Sequence, residues 1–467
     1  MEHFQTVVIG GGPSGYETAI RFNQLGINTA CIEKERLGGV CLNWGCIPTK
    51  ALVKVADLCH EMRNAKEFGL ENFESALNYE NIYNRKNIVV EKLVSGIEFL
   101  FKKRQIPNIK KNVKKIEKID NIFYITSDDD SVICTADYIV IGTGSIPKEL
   151  SFLPFDGEIV LSSNHILSLK ALPKSLAIVG GGVIGCEFAC IFAQLGVKVD
   201  IIEFLPNIVP TEDIEISRRL TMSLKKLGIS IHTNTGVNAG KRLDNEIELS
   251  LSNEKTIIAE KVLVSVGRQP FFDIETKNFV ISNEKGFIQI DNECKTNVDK
   301  IYAIGDITGK LMLAHTASKQ GLLVADIIAN KILKTQRKLI NIDYDNIPNC
   351  IFTNPEIASC GLSEQQAKDR YQNIKIGKFP FAANGKALGM GATLGFVKTI
   401  IDAETDLIIG VHIIGPLATE LIAQASILIN TKIKVSEFAN IIYAHPTISE
   451  CVMESIEDTH KLAIHTI

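Results

Sequence analysis

The chain has 467 residues, of which 45% are hydrophobic and 22% charged; this suits two to four compact domains and excludes a disordered protein. Fifty basic against 54 acidic residues leave a formal charge of -4, so no global field draws the protein to nucleic acid or to anionic lipid. Eleven cysteines scattered through the chain lack the dense spacing of a disulfide-stapled secreted domain, which points to thiols in a reducing, cytoplasmic setting.

Residues 1 to 9 (MEHFQTVVI) run straight into a strand, without the basic start and cleavage site of a signal peptide. The strand TVVIG leads into the glycine turn GGGPSG, a helix with apolar residues at helical spacing, and a second strand, TACIE. Next comes GGVCLNWGCIPTKALV (38 to 53), with Cys41 and Cys46 five positions apart at the start of another helix. Five helical residues advance about 500° and 7.5 Å, which leaves the two side chains on different faces. A disulfide needs Cα atoms about 4.4 to 6.8 Å apart, so a paired Cys41 and Cys46 require an interrupted helix, and Gly45 and Pro48 permit one. Two unrelated buried thiols are the plainer reading; against it stands the position of the pair shortly after a dinucleotide-type turn. Lys50, four residues after Cys46 and on the same helical face, can support a thiolate or an adjacent reduced flavin.

IFYITS (122 to 127), the turn DDDS and VICTADYIVIGTG (132 to 144) read as a hairpin leading to a buried strand that closes the first domain near Pro147. The first motif then repeats. Gly10, Gly12 and Gly15 fall on Gly180, Gly182 and Gly185; Gln24, Leu25 and Gly26 on Gln194, Leu195 and Gly196; Glu33 on Glu203. In each copy the glycine triplet sits between a strand and a helix, where amides and the helix dipole can hold a pyrophosphate. The strand-end acids suit a ribose hydroxyl, and with no basic residue in the following EFLPNIVP the second site is expected to take NAD and repel the 2′-phosphate of NADP. The apolar stretch of this second copy carries Glu187, Lys198, Asp200 and Glu203 around its glycines, which suits a buried βαβ unit and not a membrane span.

KVLVSVGRQP (261 to 270) and IYAIGDITG (301 to 309), with Asp306 in a glycine turn, suggest a return to the first domain. From about 347 strand and helix patterns mix as in a separate α+β module. HPTISE (445 to 450) pairs His445 with Glu450. A lone histidine is usually a core or surface residue, but a dithiol must lose protons before its sulfur attacks, and histidine is tuned for that near neutrality.

Taken in order, GGGPSG, CLNWGCIPTK, GTGSIP (142 to 147), GGGVIGCE, VGRQP, IYAIGD, MLAH (312 to 315), FTNPEIASCG (352 to 361) and HPTISE resemble the class I pyridine nucleotide disulfide oxidoreductases over nearly the whole chain. CLNWGCIPTKAL together with Glu203 is most similar to the branch that oxidises dihydrolipoamide. The resemblance implies an α/β fold with two Rossmann-like dinucleotide-binding domains and a C-terminal α+β dimerisation domain. The expected boundaries are 1 to 149 for FAD, 150 to 276 for NAD, 277 to 346 for a central segment completing the FAD site, and 347 to 467 for the interface.

It further implies a redox-active disulfide between Cys41, which meets the lipoyl group, and Cys46, which lies beside the flavin. His445 becomes the acid/base and Glu450 its orienting partner, in a homodimer where the histidine reaches the cysteines of the other subunit. FAD is expected on Gly10, Gly12, Gly15, Glu33, Lys50, Gly142, Thr143, Gly144, Asp306, Met312, Leu313, Ala314 and His315. NAD is expected on Gly180, Gly182, Gly185, Glu187, Glu203, Val237 and Gly267, and no metal is expected. The implied partners are dihydrolipoamide and the lipoylated acyltransferase subunits of 2-oxo acid dehydrogenase complexes.

The departures from the family pattern are Val40 for a threonine, Trp44 for a small apolar residue, Gln320 for a glutamate, and Asn112, Val113 and Lys114 where small residues are usual. A glutathione-type reductase would carry CVNVGC and basic residues after the second-repeat strand, and a mercuric reductase a C-terminal cysteine pair; this chain ends HKLAIHTI. A non-catalytic flavoprotein subunit is the alternative from another class, and the intact Cys41, Cys46 and His445 set stands against it.

Overall fold

A computed structural model describes residues 1 to 71, 76 to 438 and 440 to 465. The chain divides into two compact units, the first built from Met1–Ala51, Glu80–Lys148 and Gly267–Tyr344, the second from Leu52–Tyr79, Glu149–Val266 and Asp345–Ile467.

In the first unit the strand His3–Ile9 lies between Thr29–Ile32 and Val132–Ile141, parallel to both. Its Phe4, Val7, Val8 and Ile9 are buried, as a parallel strand covered on both faces requires. The expected hairpin is present: Ile122–Ser127 pairs antiparallel with Val132–Ile141 and also with Val113–Ile119. Ile301–Ala303 returns to pair in parallel with Val132–Ile141.

The helix Pro13–Gln24 packs closely on Ala314–Leu333, because Gly321 has no side chain: a Cβ there would meet Thr18 Oγ1 at 2.1 Å. Arg21 and Asp326 join the same two helices at 2.8 Å. The chain rejoins this unit at Gly267, and Glu275–Lys277 forms a strand on Val113–Ile119. A boundary drawn between 276 and 277 therefore cuts a strand, since three residues reading ETK carry no apolar alternation to announce one.

In the second unit a five-stranded parallel sheet runs in the order Ser230–His232, Lys198–Ile202, Ser175–Val179, Lys261–Val264, Val160–Leu161. A separate antiparallel sheet takes Asn349–Ile351, Glu356–Gly361, Ile408–Gly415, Phe396–Asp402 and Ile374–Pro380 in that order. One core joins this sheet to the helices Ala418–Thr431 and Glu450–Asp458, through residues such as Val411, Ile413, Leu421, Ala425 and Val452, which gives the α+β module. Among the described residues no helix is long and apolar enough to cross a membrane.

Candidate dithiol and dinucleotide sites

The two glycine turns are built alike. Gly10 and Gly180 have φ of 103° and 108°, left-handed values that only glycine adopts freely. A Cβ on Gly15 would meet Gly10 O at 1.8 Å, and one on Gly185 would meet Gly180 O at 2.0 Å, so each helix sits directly on its turn. At Gly12 and Gly182, by contrast, a Cβ would meet no protein atom within 4 Å. No side chain caps the helices Pro13–Gln24 and Val183–Gln194, which begin at these open glycines, so their first amides are placed to receive an anion.

The strand-end acids brace both turns. Glu33 accepts from the N–H groups of Gly11 and Glu35 at 2.6 and 2.8 Å; Glu203 accepts from those of Gly181 and Leu205 at 2.6 and 2.7 Å. An open, amide-lined cradle beside a fixed carboxylate fits a dinucleotide in both places.

Of the other residues expected at FAD, Gly142 packs against the first turn. A Cβ on Gly10 would meet Gly142 O at 2.2 Å, Gly144 has φ 72° and open space before it, and the buried Thr143 Oγ1 has no hydrogen-bond partner. Asp306 accepts from Ser145 Oγ at 2.5 Å, and that hydroxyl accepts from Arg268 Nε at 2.7 Å. Arg268 Nη2 also donates to Ser145 O at 2.7 Å. Met312 and Leu313 precede the helix Ala314–Leu333, whose N-terminus no side chain caps, and Ala314 and His315 open it.

Gln320, the departure from a glutamate, is explained here: Oε1 accepts from Gly305 N at 2.7 Å while Nε2 donates to Tyr344 Oη at 2.9 Å, a donor that an ionised glutamate lacks. Lys114 pairs with Asp130 at 3.2 Å at an exposed position. Nothing in the structure explains Val40 or Trp44.

The cysteines lie on either side of a helix break. One helix spans Gly39–Trp44, Gly45 departs at φ -142° and ψ -111°, and the next spans Cys46–Arg63. That interruption brings the thiols together in a hydrogen bond, with Cys41 half-buried and Cys46 exposed. The bond to Cys46 and burial push the Cys41 thiol well above its ordinary range, and Lys50 opposes them. Burial lowers the Arg268 guanidinium, while Asp306 and Cys46 pull it back up; burial, together with Glu17 and Cys41, raises the Tyr16 phenol to about 12. Ser145 and Arg268 were missed as site residues, although GTGSIP and VGRQP contain them.

In the second unit His445 Nδ1 meets Glu450 Oε1 at 2.9 Å, and Glu450 Oε2 accepts from Thr447 N at 2.7 Å. Burial favours the neutral acid, but the Thr447 amide and His445 outweigh it and hold the Glu450 carboxyl below its usual range. Glu450 fixes the ring through Nδ1, so Nε2 is the nitrogen left for proton transfer, on a side chain that is 79% exposed. Glu187 is buried and accepts from Phe352 N at 2.9 Å. Val237 starts the strand Val237–Arg242 at the far side of that unit's own antiparallel ribbon from Thr256–Ala259, whereas Gly267 belongs to the first unit. Cys41 and Cys46 thus fall in the first unit, and His445 and Glu450 in the second.

The pyridine nucleotide-disulphide oxidoreductase domain matches residues 4–321, and the dimerisation domain of the same family matches 347–456. The chain belongs to this family. It is accordingly an FAD- and NAD-using oxidoreductase with two dinucleotide folds and a dimerisation module, the architecture of a homodimer.

Among similar family members, the dihydrolipoyl dehydrogenase of Bacillus subtilis is 39% identical over 482 residues, covering 99% of each chain. The mitochondrial dihydrolipoyl dehydrogenase of Pisum sativum is 37% identical over 98% of this chain and 92% of its own. The HOCl-induced flavoprotein disulfide reductase RclA from Escherichia coli superposes with a TM-score of 0.84 at 27% identity, over 97% of this chain and 99% of its own. LpdA from Mycobacterium tuberculosis shares the fold, with a TM-score of 0.87 at 24% identity over 98% and 99%.

Proposed function

We propose that the chain is a dihydrolipoyl dehydrogenase, oxidising protein-bound dihydrolipoyl groups with NAD. The observation that carries this reading is the Cys41 and Cys46 pair brought together across the Gly45 break, in a chain with two glycine cradles that each suit a dinucleotide.

In the oxidised enzyme the pair is a disulfide. One substrate thiol loses its proton to His445 Nε2, which passes it to water, and the resulting thiolate attacks Cys41 Sγ, forming a mixed disulfide and releasing Cys46 as a thiolate. The second substrate thiol gives its proton to His445 Nε2 and attacks the substrate sulfur of the mixed disulfide, releasing Cys41 and the lipoyl disulfide. Glu450 stabilises the imidazolium so formed, and Lys50 supports the thiolate. Bound FAD supplies the two-electron passage from the reduced pair to NAD. Residues 10 to 15, 142 to 144, Glu33 and Asp306 would hold it, and residues 180 to 185 with Glu203 would hold NAD.

The protein would work in the cytoplasm on the lipoylated acyltransferase subunits of a 2-oxo acid dehydrogenase complex, as the resemblance implies. Turnover of dihydrolipoamide with NAD, set against glutathione disulfide with NADPH, tests the reading. Preference for the second pair sinks it.

A further inference from the structure

The segment between Glu203 and Asp213 links the second glycine turn to a buried charge network that the proposed reaction does not use. Val209 donates its N–H to Gly181 O at 2.8 Å, and a Cβ on Gly181 would meet Ile208 Cγ2 at 2.8 Å, so this segment backs the turn. Val209 is fully buried with φ 40°, a left-handed conformation that a β-branched residue keeps only where its surroundings impose it.

The ties are local and distant. Glu212 N donates to Val209 O at 3.0 Å, and Ser217 Oγ to Ile208 O at 2.7 Å. Asp213 caps the helix Ile214–Lys226 by accepting from Glu215 N at 3.0 Å, and it also accepts from Glu364 N at 3.1 Å. Both of its oxygens receive Lys398 Nζ, at 3.0 and 2.9 Å.

Lys398 lies on the strand Phe396–Asp402 of the C-terminal sheet and is 0% exposed. Its ammonium also reaches Glu364 at 2.6 Å and Glu215 at 3.2 Å, and Lys368 and Lys378 complete the network on its outer side. A buried carboxylate stripped of its counter-charge is strongly destabilised. Loss of Lys398 would therefore drive Asp213 toward water and release the strained turn behind it.

We infer that Lys398 is a positioning residue for nucleotide binding: through Asp213 it holds the turn around Val209 against Gly181, and so keeps the second glycine turn in the shape that accepts NAD. The inference rests on the reading of that turn as the NAD site. In the holoenzyme, Lys398→Met is expected to raise KM for NAD by at least about ten-fold while kcat changes by less than about three-fold. Reduction of the flavin by dihydrolipoamide, followed by rapid mixing without nucleotide, should keep its rate, which a general loss of structure would not allow.

Asp213→Asn retains an acceptor for the helix cap but removes the charge; it should show the same split, and it decides the matter if Lys398→Met does not fold. A KM for NAD within about two-fold of the parent, or equal slowing of the dithiol half-reaction, overturns the inference. Glu203→Gln measured alongside separates the two failures. If it too leaves the use of NAD unchanged, the nucleotide assignment itself is wrong; if it alone weakens NAD, only the role of Lys398 falls.

Discussion

A dithiol is mostly protonated at neutral pH, yet its thiolate is the attacking species, so the half-reaction with substrate needs a base that hydride transfer from NADH does not. His445, held through Nδ1 by Glu450, fits that need. His445→Gln is expected to slow oxidation of dihydrolipoamide about 100- to 10,000-fold while flavin reduction by NADH keeps its rate; rapid mixing resolves the two, and equal slowing would remove His445 from the mechanism. Because Glu450 is held below the ordinary carboxylate range, its support is present above its unfolded pKa of about 4.3 and is lost as pH falls through the lower folded value. Glu203 supports a second expectation at this scale. Burying a 2′-phosphate against that carboxylate leaves like charges together, so kcat/KM should favour NAD over NADP by about two orders of magnitude or more. Steady-state kinetics with both nucleotides measures it, and equal efficiency would mean that Glu203 does not read the ribose. The residues legible in the sequence were those with a chemical reason at a fixed spacing. Lys398 was not among them, since a lysine inside FVKTIID reads as an outward-facing strand residue, and its partners Asp213, Glu215 and Glu364 come from remote parts of the chain.

The glycine turns show why the fold could be read at the level of elements. A strand feeding directly into a helix leaves room for no side chain at Gly15 or Gly185, so the same spacing recurs in both copies. The break at Gly45 was legible for a similar reason, because five helical residues cannot bring two cysteines together. The strand Glu275–Lys277 was not, since its pairing comes from the neighbouring strand and not from its own pattern. The turn also yields a contrast within one motif. Gly15→Ala places a methyl inside the backbone of Gly10 and should leave little folded, flavin-loaded protein. Gly12→Ala, at φ -64° and with no protein atom in reach, should fold with the parent's thermal stability when both are stripped of flavin, yet bind FAD more weakly. Flavin content and the melting temperature of the stripped proteins check this. A Gly12→Ala protein with full flavin content and unchanged affinity would show that the open side of the turn does not face the cofactor.

At the scale of the whole molecule, the proposed reaction needs both the cysteine pair of the first unit and the His445 and Glu450 pair of the second. The family dimerisation domain over residues 347–456 gives a homodimer, and in a symmetric dimer each subunit can complete the other's site. The resemblance assigns His445 to the partner subunit's Cys41 and Cys46, and a mixed dimer tests that assignment. One subunit carries Cys46→Ser and the other His445→Gln, each with a different affinity tag, and only doubly tagged dimers are assayed. If the histidine acts across the interface, one site combines intact cysteines with an intact histidine while the other lacks both. The mixed dimer should then show about half the parent's turnover of dihydrolipoamide with NAD, because one of two equivalent sites is whole. If each chain uses its own histidine, no site is complete, and the mixed dimer should be as inactive as dimers carrying either substitution alone.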